Sequence, residues 1–165
     1  MRIISIDPGY ERLGVAIIEK SNQPFDKAQS KEILIFSDCL KTSPKISHEE
    51  RLKIIGTEVG KLIAKYKPEA MAIETLFFKA NAKTAMKVSE ARGVMLYEAA
   101  KSGLAVVEFT PLQIKVAVTG YGKSEKEQVT TMVKRLITIP KELKYDDEYD
   151  AIAVGLTYFA TTIQG

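Results

Sequence analysis

The sequence lacks the features that mark secreted, thiolate-metal and membrane proteins. Its one cysteine, Cys39, excludes a disulfide within the chain and fits a reducing compartment; at the end of an apolar run it is expected to be a core residue. The single histidine, His48, lies at a predicted helix start and is expected to be solvated. No apolar run reaches the roughly 18 residues of a transmembrane helix, and no signal-peptide pattern precedes the first strand. These absences predict a cytoplasmic protein with no membrane partner.

The composition is that of an ordinary globular domain. Hydrophobic residues make up 45% and charged residues 27% of a 165-residue chain, which is long enough to bury a sizeable core. No repeat or low-complexity tract divides the sequence, and the loop-like stretch 21–31 is typical of a hairpin connection. We therefore predict a single domain over residues 1–165. The net charge of +3 permits a polyanionic partner without predicting one.

The hydrophobic pattern changes period along the chain and predicts an α/β fold. Three strand-like runs come first, and two further strands then alternate with helices. The predicted strands cover 2–7, 13–19, 32–40, 70–75 and 104–109; the helices begin at Ser47, at Asn81, after Pro111, at Ser124 and near Asp146. Ser47 with Glu50, and Ser124 with Glu127, form capping-box patterns. This order predicts a five-stranded mixed sheet, made of a three-strand antiparallel meander plus two crossover strands, with helices on both faces.

Two carboxylates follow strands that are predicted to be neighbours. Asp7 precedes a Pro-Gly pair, where an aspartate is by itself ordinary turn chemistry. Glu74 ends a buried strand among apolar residues, so its charge needs a metal ion or a basic partner. The right-handed crossover rule places the strand of Glu74 beside the first strand. Asp7 and Glu74 are therefore expected at the same edge of the sheet, where α/β proteins bind ligands.

A second group of acids opens the last helix. Asp147 and Asp150 are three residues apart and share a helix face, but Asp146 and Asp150, four apart, do so too, so spacing alone does not choose between Asp146 and Asp147. The helix dipole explains acids in a first turn. It explains Asp150 less well, because Asp150 begins the apolar part of a helix that is predicted to be buried.

Carboxylates that converge without lysines raise one another's pKa, and such a cluster makes sense when it holds divalent cations. Oxygen ligands favour Mg²⁺ or Mn²⁺ over zinc. Two such ions about 3.5–4 Å apart clamp the attacking and leaving oxygens of a phosphoryl transfer. The acids therefore predict nuclease chemistry.

Five short stretches, in this order, carry a resemblance that spans essentially the whole chain. They are IDPG at 6–9, AIE ending at Glu74 with Phe77 three residues later, ARG at 91–93, QIKVAVTGYGKSEKEQV at 113–129 and DEYDAIAVG at 147–155. Together they resemble RuvC-type Holliday junction resolvases of the RNase H-like superfamily. The resemblance implies the RNase H-like form of the predicted sheet.

The resemblance also implies site residues, and it favours Asp147 over Asp146. The implied metal-binding and catalytic acids are Asp7, Glu74, Asp147 and Asp150; the implied catalytic or phosphate-contacting lysines are Lys115 and Lys126; the further implied DNA-binding residues are Phe77, Lys79, Asn81 and Lys83. The chain departs from some relatives in having Glu148 and Tyr149 between the two aspartates. Glu148 is expected either to crowd the metal site or to face solvent.

The activity implied by the resemblance is Mg²⁺-dependent endonuclease cleavage of four-way DNA junctions in recombination and repair. A homodimer would make paired symmetric nicks that leave 5′-phosphate and 3′-hydroxyl ends. Each active site would use two Mg²⁺, with Mn²⁺ as a substitute, and the RuvA–RuvB branch-migration complex is a possible partner. The helix from Asn81 to Ser102 would form a dimer interface in relatives, although its small residues also suit a core.

Three alternatives stay open at this point. An RNA-processing nuclease of the YqgF group shares the fold and an Asp-Xaa-Gly start, but its pattern is missing between Phe77 and Gly93. An actin-like ATPase or sugar kinase also opens with Asp-Xaa-Gly, yet needs a second domain and another glycine-rich loop. A junction-binding protein without catalysis is expected to lack at least one of the four acids, and all four are present.

Overall fold

The computed structural model describes residues 1–20, 32–76 and 82–162, and its elements follow the predicted order. The strands are β1 Arg2–Asp7, β2 Arg12–Lys20, β3 Glu32–Lys41, β4 Ala70–Glu74 and β5 Ala105–Phe109; the helices are α1 His48–Tyr66, α2 Ala82–Lys101, α3 Pro111–Thr119, α4 Lys126–Leu136 and α5 Asp146–Thr161. Observed ends differ from the predicted ends by one or two residues, which is where helices fray and strands lose their partners.

The five strands form one mixed sheet in the order β3-β2-β1-β4-β5. β1, β2 and β3 pair antiparallel, whereas β4 runs parallel to both β1 and β5. The predicted meander and the two crossover strands are confirmed. Ile6 lies opposite Ile73 in the β1–β4 register, so Asp7 and Glu74, one residue further along each strand, end side by side at the same edge of the sheet.

Helices cover both faces of the sheet, as predicted. α1 and α2 close one core, which includes Ile55, Val59 and Met95. α3, α4 and α5 close the other core. α5 lies directly on the strands, because a Cβ added at Gly155 would be 2.8 Å from Ser5 Oγ and 2.6 Å from Ile18 Cδ1. Every helix in the described part of the chain is too short or too polar to span a lipid bilayer.

One of the two predicted helix caps is confirmed, and the other is wrong. Ser47 caps α1 by accepting a hydrogen bond from the backbone N–H of Glu50. Ser124 does not cap α4; its buried hydroxyl bonds Thr119 Oγ1 at 2.7 Å and donates to the carbonyl oxygen of Tyr121 at 2.8 Å. Because these tertiary and turn contacts hold the serine, the N-cap of α4 moves to Glu125.

Candidate active site

Asp7 ends β1 in a turn that only glycine can close. A Cβ added at Gly9 would lie 1.7 Å from the carbonyl oxygen of Arg12, so the backbone of the IDPG turn packs against the start of β2. The turn interpretation of Asp7 therefore holds. The same turn stops β1 abruptly and leaves the carboxylate at the sheet edge, beside Glu74.

The four predicted acids lie within electrostatic reach of one another. Burial, and then the negative charges of Glu74, Asp150 and Asp147, raise the pKa of Asp7 well above its usual value. Burial and the charge of Asp150 raise the pKa of Glu74 to about 7. Burial raises the pKa of Asp150, and Asp147 adds to the effect. Asp7, Glu74 and Asp150 are thus harder to ionise, because burial and neighbouring carboxylates disfavour their charged forms.

The structure separates the two aspartates that spacing could not separate. The side chain of Asp147 is 18% exposed, whereas that of Asp146 is 75% exposed. α5 begins tightly against β2, since a Cβ added at Gly14 would lie 1.9 Å from the carbonyl oxygen of Asp147. Asp147 Oδ2 is buried and has no hydrogen-bond partner among the described residues, and its nearest cation, Arg12 Nη1, is 3.6 Å away.

We expect these two aspartates to differ in their effect on activity. Asp146→Asn removes an exposed charge and is expected to leave the rate of cleavage of a four-way junction within about twofold of wild type. Asp147→Asn removes a buried oxygen from the acid cluster and is expected to lower that rate at least about a hundredfold. Single-turnover cleavage by the two purified variants measures this. Equal losses in both variants would contradict the placement of Asp147.

Two predicted lysines lie next to the acids. Lys126 Nζ, at the start of α4, is 2.9 Å from Asp150 Oδ2 and 3.5 Å from Asp146 Oδ2. Burial lowers the pKa of Lys126, but the hydrogen bond and charge of Asp150 outweigh it, so the pKa is raised and the ammonium stays charged. Lys115 of α3 lines a cavity of about 220 Å³ together with Glu74, Lys126 and Asp150.

The donor set suits a hard divalent cation. Among the described residues no three acid, histidine or cysteine side chains are arranged closely enough to hold a metal ion, and Asp150 pairs with Lys126. The Asp147 oxygen that accepts no hydrogen bond and the raised pKa values of Asp7 and Glu74 nevertheless mark carboxylates that a bound cation would stabilise. Carboxylate oxygens of this kind suit a hard divalent cation such as Mg²⁺ or Mn²⁺.

Comparison with known proteins identifies the family. The family model for crossover junction endodeoxyribonuclease RuvC matches residues 3–158. The chain belongs to the RuvC family. It is 42% identical over 158 residues to the RuvC of Fusobacterium nucleatum, covering 96% of this chain and 80% of that protein. It is 44% identical over 155 residues to the RuvC of Thermosipho melanesiensis, covering 94% of each.

Solved RuvC structures have the same fold. The chain matches Thermus thermophilus RuvC with a TM-score of 0.85 at 30% identity, covering 97% of this chain and 94% of that one. The same protein in complex with a Holliday junction substrate matches with a TM-score of 0.84 at 30% identity, covering 96% and 93%. The predicted RNase H-like sheet is confirmed.

Glu148, a departure from some RuvC relatives, neither crowds the site nor faces solvent. Its side chain is 4% exposed, accepts a hydrogen bond from Ser37 Oγ at 2.8 Å and pairs with Lys141 Nζ at 3.0 Å. Burial opposes its charge, yet the bonds from Ser37 and Lys141 hold the pKa of Glu148 below its usual value. Glu148 lies four residues before the buried Ile152, so helical spacing could have placed it on the sheet side of α5.

This pair predicts that a second substitution partly rescues the stability lost in the first. Lys141→Met leaves the Glu148 carboxylate buried without a cation, and is expected to lower the free energy of unfolding by about 2 kcal/mol. Adding Glu148→Gln removes that charge and is expected to restore part of the loss. Urea unfolding of the two variants and wild type measures both steps. A double variant less stable than Lys141→Met would contradict the pairing.

A network that no sequence pattern indicated holds Tyr10, the residue after the IDPG turn. The Arg51 guanidinium lies 3.6 Å from the ring centroid of Tyr10, and its Nε donates to Thr42 Oγ1 at 2.8 Å. His48, predicted to be solvated, keeps 27% of its side chain exposed, and its ring nitrogens contact Tyr10 Oη at 3.1 Å and Glu90 Oε2 at 2.5 Å. These contacts tie the turn to α1 and α2.

The structure does not describe every residue that the resemblance implies for DNA binding. Phe77, Lys79 and Asn81 lie outside the described residues, as does the side chain of Lys83. Cys39 is buried on β3, as expected for a core residue, and burial together with the charge of Asp147 raises the pKa of its thiol to about 11.

Proposed function

We propose that the chain is a structure-specific DNA endonuclease that resolves four-way junctions by paired, symmetric nicks. The observation that carries this proposal is the convergence of Asp7, Glu74, Asp147 and Asp150 at one sheet edge, in a chain that matches the RuvC family over residues 3–158. The T. thermophilus relative, solved with a Holliday junction substrate, supports the choice of substrate. We propose residues 1–165 as a single nuclease domain.

The four carboxylates are proposed to hold two Mg²⁺ ions, with Mn²⁺ as a substitute. When bound, such ions lower the pKa of a water molecule and neutralise charge on the phosphate and its leaving oxygen. Lys126 is proposed to exchange its contact with Asp150 for a contact with the DNA phosphate, and Lys115 lines the same cavity. Both lysines are basic side chains at the cavity where an anionic phosphate would enter.

The proposed reaction is hydrolysis of one phosphodiester bond per active site. A water oxygen bonds to phosphorus, the bond between phosphorus and the 3′ oxygen breaks, and that oxygen takes up a proton. The products are 5′-phosphate and 3′-hydroxyl ends. Because each copy carries one acid cluster, symmetric nicks on opposing strands require a homodimer.

Other DNA and protein contacts follow from the family resemblance. Phe77 is proposed to stack on a base at the junction. Lys79, Asn81 and Lys83 are proposed to contact the DNA backbone, and the RuvA–RuvB complex is proposed as a partner.

A cleavage comparison tests the function against its alternatives. Wild-type protein and Mg²⁺ are incubated with a synthetic four-way junction, a linear duplex of the same sequence and an RNA–DNA hybrid. We expect paired nicks in the junction only. Cleavage of the hybrid without cleavage of the junction would favour the YqgF-like RNA-processing function. Tight junction binding with no cleavage in either Mg²⁺ or Mn²⁺ would favour a non-catalytic binding protein.

A further inference from the structure

A groove with a basic rim opens beside the C-terminal end of α4, on the sheet face that also carries α5. It has a volume of about 530 Å³. Its lining combines the cations Lys134, Arg135 and Lys141 with the ring of Tyr149, and Leu136 and Ile139 add apolar surface. We call this surface the α4 groove.

Two of these cations have no acidic partner. Lys141 is paired with Glu148, whereas Lys134 and Arg135 form no ion pair with any residue that the structure describes. Three exposed lysines of α1 and α2 are instead paired with an acid: Lys53, Lys61 and Lys101 each contact a glutamate three residues earlier, at 3.3, 2.7 and 3.2 Å. No acid stands three or four residues from Lys134 or Arg135 in the sequence.

Helix electrostatics explain only part of this arrangement. Basic side chains suit the last turn of a helix, where the dipole is negative. The dipole does not explain why an aromatic ring borders the same charges. Lys134 Nζ lies 5.1 Å from the ring centroid of Tyr149, so charge and a flat ring face the groove together. Cations beside an aromatic ring form a surface that suits the phosphates and sugars of a nucleic-acid strand.

The α4 groove is connected to the candidate active site by both helices that border it. α4 begins at Lys126, which pairs with Asp150, and Lys134 follows eight residues later, about 12 Å along the helix axis. Tyr149 immediately precedes Asp150 in α5. Since a duplex strand rises about 3.4 Å per nucleotide, this spacing corresponds to about three to five nucleotides.

We propose that the α4 groove binds the sugar-phosphate backbone of the duplex arm that leaves the active site, about three to five nucleotides from the cleaved bond. Lys134 and Arg135 contact phosphates, with the Arg135 guanidinium able to bind two phosphate oxygens at once. Tyr149 packs against the sugar. The contact is independent of base sequence. The placement relative to the cleaved bond rests on the proposed function.

Binding measurements with a matched control test the proposal. Lys134→Gln/Arg135→Gln is compared with Lys53→Gln/Lys61→Gln, which removes the same charge from α1 on the opposite face of the sheet. Dissociation constants for a four-way junction are measured in EDTA over a series of salt concentrations, after equal melting temperatures have been verified. We expect the groove variant to bind about tenfold more weakly, with a salt slope shallower by about two units. The control is expected to stay within about twofold of wild type.

Uncharged replacements of single DNA phosphates can show where the α4 groove contacts the arm. Methylphosphonates placed singly along the arm are expected to weaken wild-type binding when they lie about three to five nucleotides from the cleaved bond. They are expected to leave the affinity of the groove variant unchanged. The proposal is overturned if the groove variant matches the control in affinity and salt slope, or if the methylphosphonate effect persists in it.

A linear duplex separates this proposal from the proposed function. Because the groove reads only backbone, the groove variant is also expected to bind linear duplex more weakly than the control. Wild-type protein that fails to cut the junction in Mg²⁺ would overturn the proposed function and leave the duplex comparison intact. If the groove variant binds linear duplex as tightly as the control variant does, the proposed role of the α4 groove is overturned.

Discussion

Asp7→Asn is expected to abolish strand cleavage while four-way junction binding persists and the metal-free protein becomes more stable. Activity falls at least about a hundredfold because one of the four carboxylates can no longer compensate a divalent cation. Stability rises because the substitution removes a charge that burial and three neighbouring acids disfavour. For a chain of this length, each kcal/mol of relieved repulsion raises the melting temperature by about 2–4 °C.

Asp146→Asn is the control, since it makes the same chemical change at an exposed position. Cleavage rate, junction affinity and melting temperature are measured for both variants in EDTA and in Mg²⁺. Mg²⁺ is expected to raise the melting temperature of wild type and Asp146→Asn, but not of Asp7→Asn. An Asp7→Asn protein that cuts as fast as wild type would show that the acid cluster is not the metal site.

The metal-free protein is expected to lose stability as the pH rises from about 4.5 to about 7, because of Glu74. Its pKa is about 7 in the folded chain against an ordinary 4.5, so the folded state binds the proton more tightly than the unfolded state. The contribution is therefore complete below pH 4.5 and is lost as the pH passes 7. It amounts to roughly 3 kcal/mol, and the raised pKa values of Asp7 and Asp150 act in the same direction.

Glu74→Gln isolates this contribution. Its free energy of unfolding is expected to equal that of wild type near pH 4.5 and to exceed it by roughly 3 kcal/mol at pH 8 in EDTA. Mg²⁺ is expected to stabilise wild type more at pH 8 than at pH 5, since protons compete for the same oxygens. A difference between the two proteins that does not change with pH would contradict a buried, repelled Glu74.

The sheet and the position of its acids were predictable because they follow from local patterns. Apolar runs that stop at Pro8 or Glu74 define strand ends, and the crossover rule then fixes which ends meet. Helical spacing narrowed the third and fourth acids to Asp150 and one of two neighbours. Choosing Asp147 needed the family resemblance, and the exposure of Asp146 agrees with that choice.

The contacts around the acids were not predictable in the same way, because they join residues far apart in the chain. Glu148 meets Ser37 across 111 positions, and Arg51 reaches Tyr10 across 41. Ser124 has the sequence of a helix cap and is held instead by Thr119. Tertiary packing decides such contacts, and a local pattern records only that a charged or hydroxyl side chain is present.

Cleavage of a supercoiled plasmid that extrudes a cruciform tests most directly whether one acid cluster per subunit cuts a four-way junction in pairs. Symmetric nicks made in one encounter convert the plasmid to linear molecules, whereas isolated nicks relax it to open circles. In Mg²⁺ the wild-type chain is expected to give linear DNA with ligatable 5′-phosphate and 3′-hydroxyl ends at the cruciform, and Asp7→Asn is expected to give none. Open circles alone, or linear DNA cut away from the cruciform, would contradict paired junction resolution.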